Sequence, residues 1–183
     1  MTTKRFFDLF FSLLLIVLIS PFLIVGYLVA SVDTFSNGLF TQQRVGQYGV
    51  LFTIYKLKTI RPISQKISPV GRFLRKSKID ELPQLYNVLN GTMSFVGPRP
   101  DIEGYYDKLE GEARKVLELK PGITSEASIK YANEEALLEK QENQLEYNDQ
   151  IIFPDKVKMN LEYFYNQSLW LDIKIIFRTI LRK

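Results

Sequence analysis

The chain has 183 residues with no histidine and no cysteine, and its 24 Lys/Arg stand against 20 Asp/Glu. These blanks exclude a disulfide framework, a thiol nucleophile, a Cys-based zinc or iron–sulfur site, a Ser-His or Cys-His pair and any imidazole base. Chemistry is left to carboxylates, Lys, Tyr and hydroxyls, with Mg²⁺ the metal best matched to oxygen-only ligands. An apolar fraction of 46% with 10 Gly and 8 Pro argues for a folded chain of one moderate domain.

From Leu9 to Val32, 24 consecutive residues carry no charge, enough for a membrane-embedded helix. The run is too long for a signal peptide and no small-x-small cleavage site follows it. Ser20-Pro21 sits at its middle, where proline removes one backbone hydrogen bond and predicts a kink, with Ser20 bonding back to the Ile16 carbonyl. Both flanks are basic: Lys4 and Arg5 precede the run, and nine basic residues with no acidic one occupy Thr34 to Ile79. The positive-inside rule then puts both ends in the cytoplasm. A helix bent at Ser20-Pro21 meets both conditions, since arms of about 12–14 residues reach roughly 18–21 Å and cannot cross ~30 Å of hydrocarbon. A re-entrant helix over 1–33 is favoured over a spanning one, ahead of a cytoplasmic domain over 34–183.

Residues 38–60 predict a short hairpin, with Val50–Tyr55 β-branched and aromatic and Gln47-Tyr48-Gly49 as the turn. Residues 70–75 pair apolar and basic positions at helical spacing, which suits a headgroup surface or an ordinary half-buried helix. A helix is expected over about 78–90, with Leu82, Leu85, Tyr86 and Leu89 as its stripe and Gly91 as its stop. Residues 92–101 read as a rigid loop, and a further helix is expected over 103–119. Residues 134–149 carry six carboxylates and one Lys, a solvated helix face. From Lys156 onward, regularly spaced Lys174, Arg178 and Arg182 suggest an amphipathic helix or pair, resting on the core or the membrane surface. The fold class is mainly α with a small β-hairpin.

Asp80-Glu81 is the first acidic pair after the basic stretch and stands at a helix start, where dipole and free N–H groups favour negative charge and phosphate. The two carboxylates can act as nucleophile and Mg²⁺ ligand, or as plain first-turn capping residues in a Ser77-x-x-Asp80 box. Arg72, Arg75, Lys76, Lys78, Lys56, Lys58 and Arg61 suit a diphosphate or anionic lipid, or simply follow from topology. No nucleic-acid motif accompanies them. Gly97-Pro98-Arg99-Pro100 fixes φ on both sides of one arginine, either a stiff phosphate-binding loop or a structural turn.

In order, KRFFD, the apolar run with its central Ser-Pro, LFTQQRVG, YKLKTI, VGRFLRKSKIDELPQLYNVLNGTMSFVGPRPD, KPGIT and SLWLDIKIIF resemble the bacterial sugar transferase family of small monotopic phosphoglycosyl transferases. The resemblance covers nearly the whole chain and is most specific from Gly71 to Asp101. It implies a membrane enzyme that moves a sugar-1-phosphate from a UDP-sugar to polyprenyl (undecaprenyl) phosphate, releasing UMP and priming a surface glycan or glycoconjugate. It implies Asp80 as nucleophile of a covalent phosphosugar intermediate, Glu81 as Mg²⁺ ligand, and Arg75, Arg99 and Lys58 as phosphate-binding residues, with Pro100 completing the Pro-Arg-Pro loop. It also implies a helix break at Ser20-Pro21 and a monotopic protein on the cytoplasmic face of the bacterial inner membrane, in contact with its lipids.

The chain departs from the family pattern at Ser125-Glu126-Ala127-Ser128, where many members have Gly-Trp-Ala-Gln, and at Leu161–Tyr165, where Glu162 replaces an Asp. The resemblance implies that both segments shape sugar and nucleotide recognition. Against the larger members, which carry extra N-terminal membrane helices, a minimal catalytic unit is expected. The alternative is a catalytically silent membrane-anchored binding or scaffold protein of the same fold.

Overall fold

The computed structural model describes residues 3–181. It is mainly helical, with two small two-stranded sheets. The backbone groups into two compact units: one holds the residues up to Arg44 together with Leu51–Met93, the other Val45–Val50 together with the residues from Ser94 onward.

In the first unit the uncharged run forms α1 (Thr3–Thr34), long and apolar enough to cross a membrane. Helical hydrogen bonding continues through Pro21, and the Ser20 hydroxyl donates to the Val17 carbonyl at 2.9 Å rather than to Ile16 as expected. Val17 is the residue four before Pro21, so the Ser20 hydroxyl takes up the carbonyl that the missing proline N–H leaves without its helical partner. Only five residues of α1 are buried, Asp8 and Ser12 in one arm and Gly26, Ala30 and Thr34 in the other, while Val17, Leu18, Phe22 and Ile24 are exposed. Both ends are tied to the rest of this unit. Arg5 donates to the Val88 and Leu89 carbonyls at 2.6 and 2.8 Å, and Asp33 accepts from Arg61 and Ser68.

The expected hairpin is β1 (Leu39–Val45) and β2 (Leu51–Leu57), joined by a tight turn at Gln47–Gly49. A link this short permits only antiparallel pairing. Phe52, Ile54 and Leu57 of β2 turn inward, with Leu74, Leu85 and Val88 also among the unit's buried apolar side chains. Helix α2 (Pro69–Lys76) starts at Ser68, whose hydroxyl accepts from the Gly71 amide at 2.9 Å, with Pro69 in the first turn where it suits a helix.

The helix expected over 78–90 is two pieces, a 3₁₀ helix Ile79–Gln84 that contains Pro83, then α3 (Leu85–Asn90) ended by Gly91 at φ +90°. Proline inside the segment denies it a continuous α ladder. Ser77 does not form the expected capping box. It closes α2, its hydroxyl donating back to the Phe73 carbonyl at 2.8 Å, and Lys78 at φ +59° makes the turn into the next helix. Asn87, fully buried, binds the sheet to α3: its Nδ2 donates to the Thr53 carbonyl at 2.7 Å and its Oδ1 accepts from the Tyr55 amide at 3.3 Å.

In the second unit, the segment read as a loop contains β3 (Ser94–Val96), which pairs in parallel with β4 (Gly122–Thr124), Ser94 opposite Gly122 and Val96 opposite Thr124. The helix expected over 103–119 is replaced by 3₁₀ segments Tyr106–Lys108 and Gly111–Glu118, since Gly104 (φ +106°) and Gly111 (φ +56°) leave helical space. Helices α4 (Glu126–Lys130), α5 (Glu134–Leu138) and α6 (Gln144–Tyr147) are short, and a π-helical turn Asn148–Ile152 leads into α7 (Phe153–Asn166). The acidic stretch is therefore no single solvated helix. Glu134 within it is a half-buried ion-pair partner of Lys156 at 2.7 Å. Helix α8 (Leu169–Leu181) completes an amphipathic pair with α7. The core holds Val45, Tyr106, Val116, Leu117 and Val157 in one cluster and Val96, Leu119, Tyr163 and Ile175 in another.

Candidate active site

Asp80 and Glu81 occupy the first turn of the 3₁₀ helix that follows Lys78. Asp80 is only 8% exposed, and its Oδ1 has no hydrogen-bond partner. Burial, then the neighbouring Glu81 charge, push its carboxyl above the usual carboxylate range, while Lys56, Lys78 and Arg75 pull the other way. Glu81 is ion-paired with Lys56, Oε1 to Nζ 2.9 Å, both side chains largely shielded. A buried acid with an unsatisfied oxygen, set among cations, is costly to the fold, and such groups mark functional sites.

The first unit thus brings together Asp80, Glu81 and Arg75 of the residues singled out from sequence. Lys58, the residue after β2, instead donates to Ser36 Oγ at 3.1 Å. Sequence reading missed that Lys56 holds Glu81. Both lysines stand in the acid-free stretch two residues apart, and nothing in their spacing separates them. Ser20 and Pro21 lie inside α1.

Arg99 and Pro100 belong to the second unit, where Arg99 is exposed. The backbone holds this loop tightly: Gly97 N donates to Thr124 O at 3.0 Å, Gly122 N to Pro98 O at 2.8 Å and Ser94 N to Pro121 O at 2.8 Å. Gly97 and Gly122 approach so closely that a Cβ on Gly97 would sit 2.1 Å from the Lys120 carbonyl oxygen. The GPRP and KPGIT motifs are thus two faces of one backbone contact. Behind it, Tyr163 hydrogen-bonds to buried Asp172, tying α7 to α8. Glu162, exposed on α7, has its carbonyl bonded by Asn166.

A two-carboxylate constellation with surrounding cations handles phosphoryl groups: the acids attack or hold a metal, the cations offset phosphate charge. Comparison with known proteins agrees. The family model described as bacterial sugar transferase matches residues 1–183, and the chain belongs to this family. Among its relatives is a UDP-glucose:undecaprenyl-phosphate glucose-1-phosphate transferase of Klebsiella pneumoniae, 35% identical over 100% of this chain and 40% of the relative. Proteins of the same description from Escherichia coli (strain K12) and Caulobacter vibrioides are 33% and 34% identical, over 98% and 97% of this chain and 39% and 68% of theirs. The chain spans about 40% of the length of the first two.

Proposed function

We propose that the protein transfers a sugar-1-phosphate from a UDP-sugar to polyprenyl (undecaprenyl) phosphate, yielding polyprenyl-diphospho-sugar and UMP. The observation that carries this reading is the buried Asp80 carboxylate with its unpartnered oxygen, beside Glu81 and under the field of Lys56, Lys78 and Arg75. An Asp80 oxygen attacks the phosphorus of the sugar-phosphate half of the donor. The bond from that phosphorus to the bridging oxygen breaks, and UMP leaves with the bridging oxygen. An oxygen of the acceptor phosphate then attacks the same phosphorus and the Asp80 carboxylate departs, which restores the enzyme. Arg75 and Lys58 are assigned to phosphate binding, as is Arg99, which Pro98 and Pro100 stiffen.

Mg²⁺ suits the donor set. This ion is commonly held by one or two carboxylates, with substrate phosphate and water oxygens filling the rest of its shell. Glu81 would hold it, and bound there it would offset the diphosphate charge.

The same reading places residues 1–33 in one leaflet as a re-entrant helix bent at Ser20-Pro21, with 34–183 as the catalytic domain on the cytoplasmic face of the inner membrane. Support comes from α1's two ends: Arg5 is bonded at Val88 and Leu89, Asp33 at Arg61 and Ser68, all in one unit. A spanning helix would set those ends on opposite sides of ~30 Å of hydrocarbon.

Detergent-solubilised protein with Mg²⁺, polyprenyl phosphate and a panel of UDP-sugars is expected to release UMP with at least one donor, and silence across the panel would return the protein to a binding or scaffold role. Single cysteines introduced at positions 3 and 36 should both label from the cytoplasmic side. Labelling from opposite sides would refute the re-entrant helix.

A further inference from the structure

We propose that the loop 60–67 and Phe35 form a wedge that enters the headgroup boundary of an anionic bilayer beside the C-terminal end of α1. The loop is a closed turn. Ile60 and Ile67 form an antiparallel bridge, Arg61 N donates to Lys66 O at 3.1 Å and Gln65 N to Arg61 O at 2.9 Å. Its tip residue Ile63 is 99% exposed. The base is fixed to the last turn of α1: Arg61 Nε donates to Asp33 O at 2.9 Å, its Nη2 to Asp33 Oδ1 at 3.2 Å, and Ser68 Oγ to Asp33 Oδ2 at 2.6 Å. An apolar side chain is thus held out on a rigid support, with nothing in its own unit to cover it.

Phe35 repeats the pattern from α1 itself. It follows the helix at φ +50°, a left-handed position that favours glycine, and it is 82% exposed with the Arg61 guanidinium 5.5 Å from its ring. A bulky aromatic is uncommon in this conformation, and one that is also this exposed is a ring that an apolar environment outside the chain would bury. Two observations identify that environment as lipid. The wedge is continuous with exposed Val32 and the uncharged face of α1. Its charged rim is cationic, with Lys66 and Arg72 exposed and Arg72 contacting the loop at the Ile67 carbonyl, while the one acid present, Asp33, is consumed inside the network. Apolar tips ringed by cations match the acyl–headgroup boundary of an anionic membrane.

The inference rests on the membrane placement of α1, and the experiment separates the two. Phe35→Trp, Ile63→Trp and Phe22→Trp are each made in a Trp170→Phe background, which removes the chain's single tryptophan. Each is reconstituted in phosphatidylglycerol-containing vesicles doped with lipids brominated near the glycerol or near the methyl end. Emission from Phe35→Trp and Ile63→Trp is expected to fall by about half with the shallow bromines, in keeping with burial of ~5–10 Å, and that from Phe22→Trp to be quenched by the deep ones. If position 22 is quenched but 35 and 63 respond only to aqueous iodide, the wedge is refuted and the membrane helix stands. If position 22 is also untouched by lipid, the membrane reading falls and the wedge with it. Shielding of 35 and 63 from both quenchers, growing with protein-to-lipid ratio, would assign the surface to a second copy of the chain and overturn the proposal.

Discussion

Asp80→Asn is expected to abolish UMP release, by at least roughly 10³-fold as for loss of other enzymic nucleophiles, while raising the melting temperature. Asparagine keeps the shape of the side chain and removes the nucleophilic oxygen anion, so labelled donor should leave no phosphosugar on the protein. The stability effect follows from the environment of the carboxyl. Burial and the Glu81 charge raise its pKa in the folded state, and Lys56, Lys78 and Arg75 offset this only in part. The folded protein therefore holds this proton more tightly than the unfolded chain. Stability falls as pH rises from the ordinary carboxylate range through the raised folded value, and at neutral pH the ionised Asp80 is a net cost. Removing the charge recovers that cost, and the difference between variant and parent should vanish in acid, below the pKa of the unfolded chain. Retained UMP release would remove Asp80 from the nucleophile's role. A lower melting temperature at neutral pH would contradict the burial account.

The part of the site legible in sequence is the part that local chemistry dictates. Asp80-Glu81 stands out because it ends an acid-free run, and Arg75 because the family resemblance matches a basic residue five positions before the Asp. The Lys56–Glu81 ion pair was not legible, since Lys56 and Lys58 stand two residues apart in one acid-free stretch and only the packed structure selects one. Asn87 was equally hidden: a buried amide that bonds Thr53 and Tyr55 more than 30 residues away leaves no periodic trace. The same division holds for the fold. The hairpin 39–57 and the 24-residue apolar run declare themselves by composition. Residues 103–119 have helical spacing, yet Gly104 and Gly111 spend their freedom on left-handed turns. Strands of three residues, such as β3 and β4, are too short for any alternation to register.

Gly97→Ala is expected to cost on the order of 3 kcal/mol or more, the sum of an overpacked contact and of hydrogen bonds pulled apart. The added Cβ would meet the Lys120 carbonyl oxygen at 2.1 Å, and a Cβ on Gly122 would meet Gly97 N at 2.2 Å. Backbone faces backbone here, so no rotamer change relieves the clash and the strands must separate. The Gly97–Thr124 and Gly122–Pro98 hydrogen bonds go with them. Gly111→Ala is the matched control: Gly111 has φ +56° and nothing within 4 Å of its Cβ position, so alanine there meets only backbone strain of about 1–2 kcal/mol. Thermal unfolding in detergent should show a drop for Gly97→Ala at least about 1.5 times that for Gly111→Ala. Equal drops would show that conformational freedom, rather than close approach, is what Gly97 supplies. Arg99 lies two residues beyond the clash, so UMP release should be lost in Gly97→Ala at temperatures where the protein remains folded, and kept in Gly111→Ala. The Gly-Pro-Arg-Pro motif would then act as one piece, its glycine allowing the strand contact that fixes where the arginine stands.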